Sequence, residues 1–509
     1  MNSTLTEIVV VTHRKPSLSK IVVGALIMVC GIVRGQTVEI LAADQILRDP
    51  AITEAQRLIG HVKLGHQDAV LSCDSAWRFD DGTVEVFSNV HMEQPPSTTL
   101  TANHLRIQPE NDWAEAQGEV RLLHESAQLQ APSLSYQIGH RTARYSQGAL
   151  ILEDGWTVTS QTGRYLASQS TLELGGDVHA RKEGESMVSD SLHWLRNENR
   201  YTFHGATHWR DEEIEFACQS GDVTMDDGPR GWLSDSVVVK DNENTIIGDS
   251  IEWGENVSEV WGNVILAKAD GGGEVHGAHA IQNKLDSLDM VEGTPDQKAW
   301  LQQVDNSDTL WLAAQLLTRQ GPALTAVRGV TLVQQDMTAT GDSMVWDDDV
   351  ELIHMWGAPQ LWSNQDKLSG DTLTLMMSDN KPDKLEMRGH AVVLSPANDT
   401  LSHRIQGRDL DAFFEDSELR SVDVIGNGEV VTFEVPEEGQ EGSVRMNTAV
   451  CAKVTLEVAE QKLKGIALKQ GPRGRIEPIP QGQGLEAFQV DEAPRLRPWE
   501  TSEQGPLPE

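Results

Sequence analysis

The sequence predicts an all-β protein, an elongated antiparallel β-jelly-roll or β-solenoid built from two-strand repeats of about 29 residues. Three observations predict it. Apolar and polar residues alternate over short runs, the pattern of a strand with one buried face. A glycine-containing signal recurs at a nearly constant interval. No long amphipathic helical pattern interrupts either feature. The stretch 248–266, GDSIEWGENVSEVWGNVIL, is the clearest copy. Gly248-Asp249-Ser250 leads to Ile251 and Trp253, and a polar turn, Gly254-Glu255-Asn256, follows. Val260, Gly262, Val264 and Leu266 then share one face. The unit reads as two short strands and a turn with a single apolar face. It cannot bury that face alone, so copies must stack.

At 509 residues the chain exceeds one ordinary core and fits several domains or an elongated repeat. Its net charge of −37 excludes binding nucleic acid or anionic headgroups through a general basic field. An amphipathic ligand held by an apolar face remains open. A membrane barrel needs aromatic girdles, and four Tyr with eight Phe are too few.

In chain order, Arg14, Lys15 and Lys20 precede an apolar run, 21–33, and Val33-Arg34-Gly35 places small residues at cleavage positions. The run is short for a membrane span but fits an export signal, so 1–35 is expected to be removed near Gly35. The alternative is a short membrane anchor. The repeat signal then appears at Gly60, Asn89, Gly118, Gly148, Gly176 and Gly205, with spacings of 29, 29, 30, 28 and 29. From Gly205 to Gly262 the gap is 57, two periods with a degenerate copy expected near Trp232. Later copies are Gly329, Gly357, Gly389 and Gly426, for about thirteen rungs in all. The first-half signal keeps step at Cys73-Asp74-Ser75, Ser189-Asp190-Ser191, Gly341-Asp342-Ser343, Gly370-Asp371-Thr372 and Gly407-Arg408-Asp409. Its Asp and Ser residues suit a turn. Calcium-binding rolls repeat about every nine residues, which disfavours a calcium role for these Asp residues.

The rhythm breaks between Glu292 and Arg328, where a short helix or a long excursion is expected. The expected organisation is a first repeat domain over 36–293 and a second over 294–470 that begins with this irregular segment. A Pro-rich tail over 471–509 follows, with Ala487-Phe488 capping the last strands. Beyond the signal segment three cysteines remain, Cys73, Cys218 and Cys451. Cys73 and Cys218 lie about five rungs apart, roughly 20 Å or more at about 4.8 Å per strand, beyond disulfide reach. They read as small buried hydrophobes.

No catalytic fingerprint appears. His276 and His279 form H-x-x-H in a Gly-rich turn, and His204 and His208 stand four apart in strand context. Neither pair has a metal-site arrangement. No catalytic residue, metal or cofactor is expected. The informative residues are those that parity turns inward: Leu105, Ile107, Leu192, Trp194, Phe203, Ile251, Trp253, Val264, Met344, Trp346, Leu373, Leu375 and Phe414. They either pack on each other as a closed core or line a trough between two sheets that receives acyl chains. Gly262 also points inward, so it either bends its strand or leaves room along the interior.

Several motifs in their order resemble the OstA/LptA-like (organic solvent tolerance) family, most closely its long Bacteroidetes-type form. They are Val38–Leu41 with Arg57–Val62, Leu71–Trp77 (LSCDSAW), Pro359–Thr372 (PQLWSNQDKLSGDT), Ile405–Phe414 (IQGRDLDAFF) and Ser421–Gly428 (SVDVIGNG). The resemblance spans about 37–490. It implies a twisted open β-jelly-roll and a non-enzymatic periplasmic role in outer-membrane assembly. The partners implied are lipopolysaccharide, with lipid A acyl chains inside, and other jelly-roll transport proteins or a second copy docking at strand edges. The competing expectations are a structural or adhesive surface β-solenoid with a closed core, and a β-solenoid carbohydrate-active enzyme.

Overall fold

A computed structural model describes residues 37–478, apart from 49–53, 226–227, 306–307, 336, 364, 379–380, 399, 416–417, 436–443 and 460–461, together with 488–494. The expected export segment and Ala487 lie outside the described residues. The all-β antiparallel expectation holds: the described residues form 36 strands joined in one hydrogen-bonded sheet. Successive strands pair as a meander, as Gln56–His66, Ala69–Arg78, Val84–Gln94 and Thr98–Gln108 do. These strands are 10–11 residues long, and each bends at its middle, where the register slips. One half of each of these strands therefore lies in each of two facing layers.

Two local devices make the bends. Alternate strands carry two consecutive residues at positive φ, as in Gly60/His61, Gly118/Glu119, Gly176/Asp177, Gly262/Asn263 and Gly389/His390. This is a β-bulge, which bends its strand. The degenerate copy is Asp235/Ser236, both at positive φ, three residues beyond Trp232. The intervening strands carry a small residue inside the bend: Cys73, Ala102, Ala131, Ser160, Ser189, Cys218, Gly248 and Gly277. Most of these face a residue that follows a bulge, as in Val62 with Cys73, Val120 with Ala131, Val178 with Ser189 and Val264 with Gly277. The layers meet here, so size is limiting. A Cβ on Gly248 would sit 2.5 Å from Val260 Cγ1.

The Asp-Ser signal therefore marks a bend within a strand. Asp249 and Ser250 lie inside the strand Asn244–Trp253, and the hairpin turn is the stretch 254–256. The turn chemistry of Asp is used across strands instead. Asp249 accepts from Asn263 Nδ2 at 3.1 Å, Asp74 from Asn89 Nδ2 at 2.8 Å, and Asp190 from the Ala206 N–H at 2.9 Å. Each carboxylate thus caps the bulge of the following strand. Gly262, with φ +70° at a register slip, bends its strand. The thiols serve the same corner: Cys73 and Cys451 each donate to the carbonyl two residues on, at 3.3 Å, as Ser189 does at 2.9 Å. The three cysteines among the described residues are free and buried.

Residues 294–328, expected to be irregular, hold the strands Ala299–Asp305, Asp308–Ala314 and Leu316–Gln320 and the start of Ala323–Gln334. The ladder continues through them. Gly273–Asn283 pairs with both Leu288–Glu292 and Ala299–Asp305, and these hand on to Leu316–Gln320 and Asp308–Ala314. Here the bend is a gap between two separate strands; Gly293 stands at its start, and residues 294–298 before Ala299 lengthen the period. The last strand, Arg473–Pro478, pairs with Arg445–Ala459, so the sheet runs past 470. Phe488 then packs on Phe433 with ring centroids 5.3 Å apart.

Gly262→Ala would place a β-carbon at positive φ and 2.8 Å from Asp249 Cβ. The expected cost is about 1–2 kcal/mol of local stability, read as roughly tenfold faster amide exchange in strands 244–268. Unchanged exchange would remove the bulge from this role. Burial pushes the Cys73 thiol up to about 11 and the Cys218 thiol up to about 12. Both should therefore resist alkylation at pH 8 in the native protein and react in denaturant, as residue-resolved mass spectrometry would show.

Candidate functional site

The interior between the layers is the candidate site, and cross-strand pairing builds it. In one layer the register connects Leu64, Leu71, Met92, Leu100, Leu122 and Leu129 in an unbroken column. It continues through Ile151, Val158, Ala180, Met187, Trp209, Phe216 and Val239 to Ile246, Leu266, Val275, Leu301 and Leu312. It ends through Leu361, Leu368, Val393, Ile405 and Val430 at Ala449. The facing layer has its own column, including Leu192, Phe203, Ile251, Val260, Met344, Met355, Leu373 and Met387. Each fully buried Leu or Met is worth roughly 1.5–3 kcal/mol.

The structure places the predicted inward residues as follows. Leu105, Ile107, Leu192, Trp194, Phe203, Ile251, Val264, Met344, Leu373 and Leu375 are buried in the core, and Trp253, Trp346 and Phe414 are partly buried against it. They are spread along the whole interior and do not converge on one pocket.

The interior has three zones. Over residues 56–216 it is filled. Its cavities near Leu122 and near Leu64 are about 10 Å³ each, the scale of a single water. An aromatic plug bridges the layers at the end of this zone. Trp156 meets Trp194 at 6.2 Å, Tyr201 meets Trp209 at 5.2 Å, and Phe203 meets Phe216 at 6.0 Å between ring centroids. In the middle zone, Ile246, Leu266, Val275 and Leu301 are only partly buried. From Leu312 onward the columns are buried again, around a cavity of about 20 Å³ lined by Leu332, Met337, Met355 and Leu375.

Sequence reasoning missed a polar clasp at the mouth of the first zone, where hairpin turns of the two layers meet. Asp112, in one layer's turn, is reached by His66 Nε2 at 3.2 Å and by Gln67 Nε2 at 2.5 Å from the other. Arg141 pairs with Asp68 at 2.9 Å. Gln94 donates to the Ile138 carbonyl at 2.9 Å and accepts from the Tyr136 hydroxyl at 2.6 Å. Burial pushes the Tyr136 phenol well up, which keeps it a donor. Arg196 forms an ion pair with buried Glu153 and donates to the Tyr165 hydroxyl at 3.2 Å. Burial lowers the Arg196 pKa. Beyond Arg196 no comparable bond joins the turns of the two layers among the described residues. The clasp residues are separated by up to 73 positions, and no local pattern announces such pairs.

The fold and its continuous apolar interior define a two-layered antiparallel repeat protein. Residues 35–190 match the family model described as OstA-like protein. Over that stretch the chain is similar to that family, and the small corner residues repeat beyond it to Cys451. Among solved structures, the chain is similar to LptH of Pseudomonas aeruginosa, described as the LptA-homologous periplasmic component of the lipopolysaccharide transport device. Identity is 22%, over 29% of this chain and 96% of that one, with a TM-score of 0.22. No curated protein matches the chain.

Burial pushes the Asp68 carboxyl up, but bonds from Gln94 and Arg141 outweigh it and hold the group below its ordinary 3.8. A depressed carboxyl contributes stability above its unfolded value and loses it as pH falls through the folded one. Arg141→Ala should therefore melt earlier than the parent at pH 6, by less than about 1 kcal/mol for so exposed a pair. The difference should shrink in melts taken well below pH 3.8. A difference unchanged in acid would assign the effect of Arg141 to contacts that do not titrate, among them its bond to the Pro95 carbonyl.

Proposed function

We propose that this protein is a non-enzymatic, periplasmic lipopolysaccharide-binding transport protein that shelters lipid acyl chains between its two layers during outer-membrane assembly. The observation that carries the reading is the pair of facing apolar columns that run through every rung, combined with the OstA-like match. The chemistry is direct. Each methylene removed from water gains about 0.8 kcal/mol. A lipid with several acyl chains therefore needs continuous apolar cover to cross an aqueous compartment. The strand edges at the two ends of the sheet offer unpaired backbone groups to other jelly-roll transport proteins or a second copy.

A second reading is favoured by one observation. The filled first zone, with cavities no larger than a water, is what a structural solenoid with a closed core would have. The two readings differ in whether the layers part for a guest.

Purifying the exported protein from cells and analysing its bound lipid distinguishes them. Lipopolysaccharide should co-purify with the parent, and roughly tenfold less with Leu266→Asp, because a charge in an apolar site repels an acyl chain. Absence of lipopolysaccharide from the parent, under conditions that retain it on a known carrier, favours the structural reading.

A further inference from the structure

We propose that the interior is loaded through its middle zone and fills toward the C-terminal zone, while the polar clasp keeps the N-terminal zone shut. This inference rests on the reading of the interior as an acyl-chain site. It adds an entry point and a direction.

In the middle zone, inward side chains on four successive strands of one column are not sealed. Ile246, Leu266, Val275 and Leu301 stand on neighbouring strands and are partly exposed, while Val239 before them and Leu312 after them are buried. Four strands span roughly 19 Å at about 4.8 Å each. The occupant these rungs accept is an alkyl chain. All four side chains are aliphatic, and the strands that carry them are paired on both sides, so no free backbone edge is offered to a peptide.

The neighbouring zones differ in what it costs to part them. Toward the N-terminus the guest meets Phe216 and Trp209, stacked on each other and edge-to-face with Phe203 and Tyr201 of the opposite layer. Behind them lie the bonds of Asp112, Arg141 and Arg196. Parting the layers there would strip the buried Glu153–Arg196 pair and the buried Asp112 of their partners, which is costly. Toward the C-terminus the facing column holds Met344, Met355 and Met387. Methionine has three rotatable bonds and repacks readily around a guest. Among the described residues this zone is closed more lightly, by the tail: the Asp491 carbonyl accepts from Trp362 Nε1 at 3.1 Å, and its largely exposed carboxylate pairs with Lys367 at 2.5 Å.

The test uses the full exported protein and purified lipopolysaccharide, with a photo-reactive residue introduced singly at Leu266, Leu361 or Leu100 and at the outward control Glu252. Melting curves confirm that each variant is folded, and Met355 replaces Leu361 if that variant is not. The expected result is strong adducts at position 266, adducts at 361, and neither at 100 nor at the control. Adding Asp112→Ala and Arg196→Ala should raise the adduct at 100 roughly tenfold, as expected for lost charge-assisted bonds. Adducts at 100 as strong as those at 266 in the otherwise unaltered protein would overturn the direction of loading and leave the acyl-chain reading standing. So would a clasp variant that stays unlabelled at 100. No adduct at any inward position would remove the acyl-chain reading and this inference together.

Discussion

Everything in this molecule depends on how closely two strand halves approach where each strand bends from one layer into the other. At that corner a small residue on one strand faces the residue that follows a bulge on its neighbour, as Cys73 faces Val62 and Gly277 faces Val264. A larger side chain would push the layers apart, and without the bulge the strand would run straight on. The corner constraint fixes the 29-residue period, because strand, turn and return must bring the next small residue back to the same place. It also aligns the inward side chains into columns, since register at the corner sets register along both halves.

Those columns give the protein two conflicting tasks. Burial of Leu100, Leu122 and Met92 stabilises the fold, yet a space so well filled leaves no volume for a guest. The chain divides the tasks along its length. Aromatic rings and a clasp of charged turns consolidate the first zone, and the middle zone leaves aliphatic residues partly open. The last zone is buried through side chains that repack easily. Stability and capacity are thus assigned to different rungs of one repeating architecture.

Much of this was legible in the sequence, because alternation and period are local properties. Ile251, Val264, Met344 and Leu373 announce their inward face by parity alone, and the glycines at 60, 118, 176 and 262 announce the bulges. The meaning of Gly-Asp-Ser was misread for a physical reason: the side chain of Asp249 bonds to the next strand, whereas turn chemistry is a rule about neighbours in sequence. The strands between 299 and 320 were hidden because the extra residues 294–298 separate Gly293 from the strand that follows it and shift the period. The clasp was illegible because His66, Asp112 and Arg141 meet only after folding, and a polar residue at a turn looks the same whether or not it has a partner. Parity also cannot report fullness, since Leu100 and Leu266 carry the same signal and differ in exposure.

The capping carboxylates give the repeat a direction. Asp44 bonds to His61, Asp74 to Asn89, Asp249 to Asn263 and Asp371 to His390, so in each case the earlier strand supplies the acceptor and the later strand the bulge. The ladder is therefore chemically polar: in these four rungs each bulge is held by the stretch that precedes it in sequence, so the two edges of the sheet present different groups, acceptors on one side and bulges on the other.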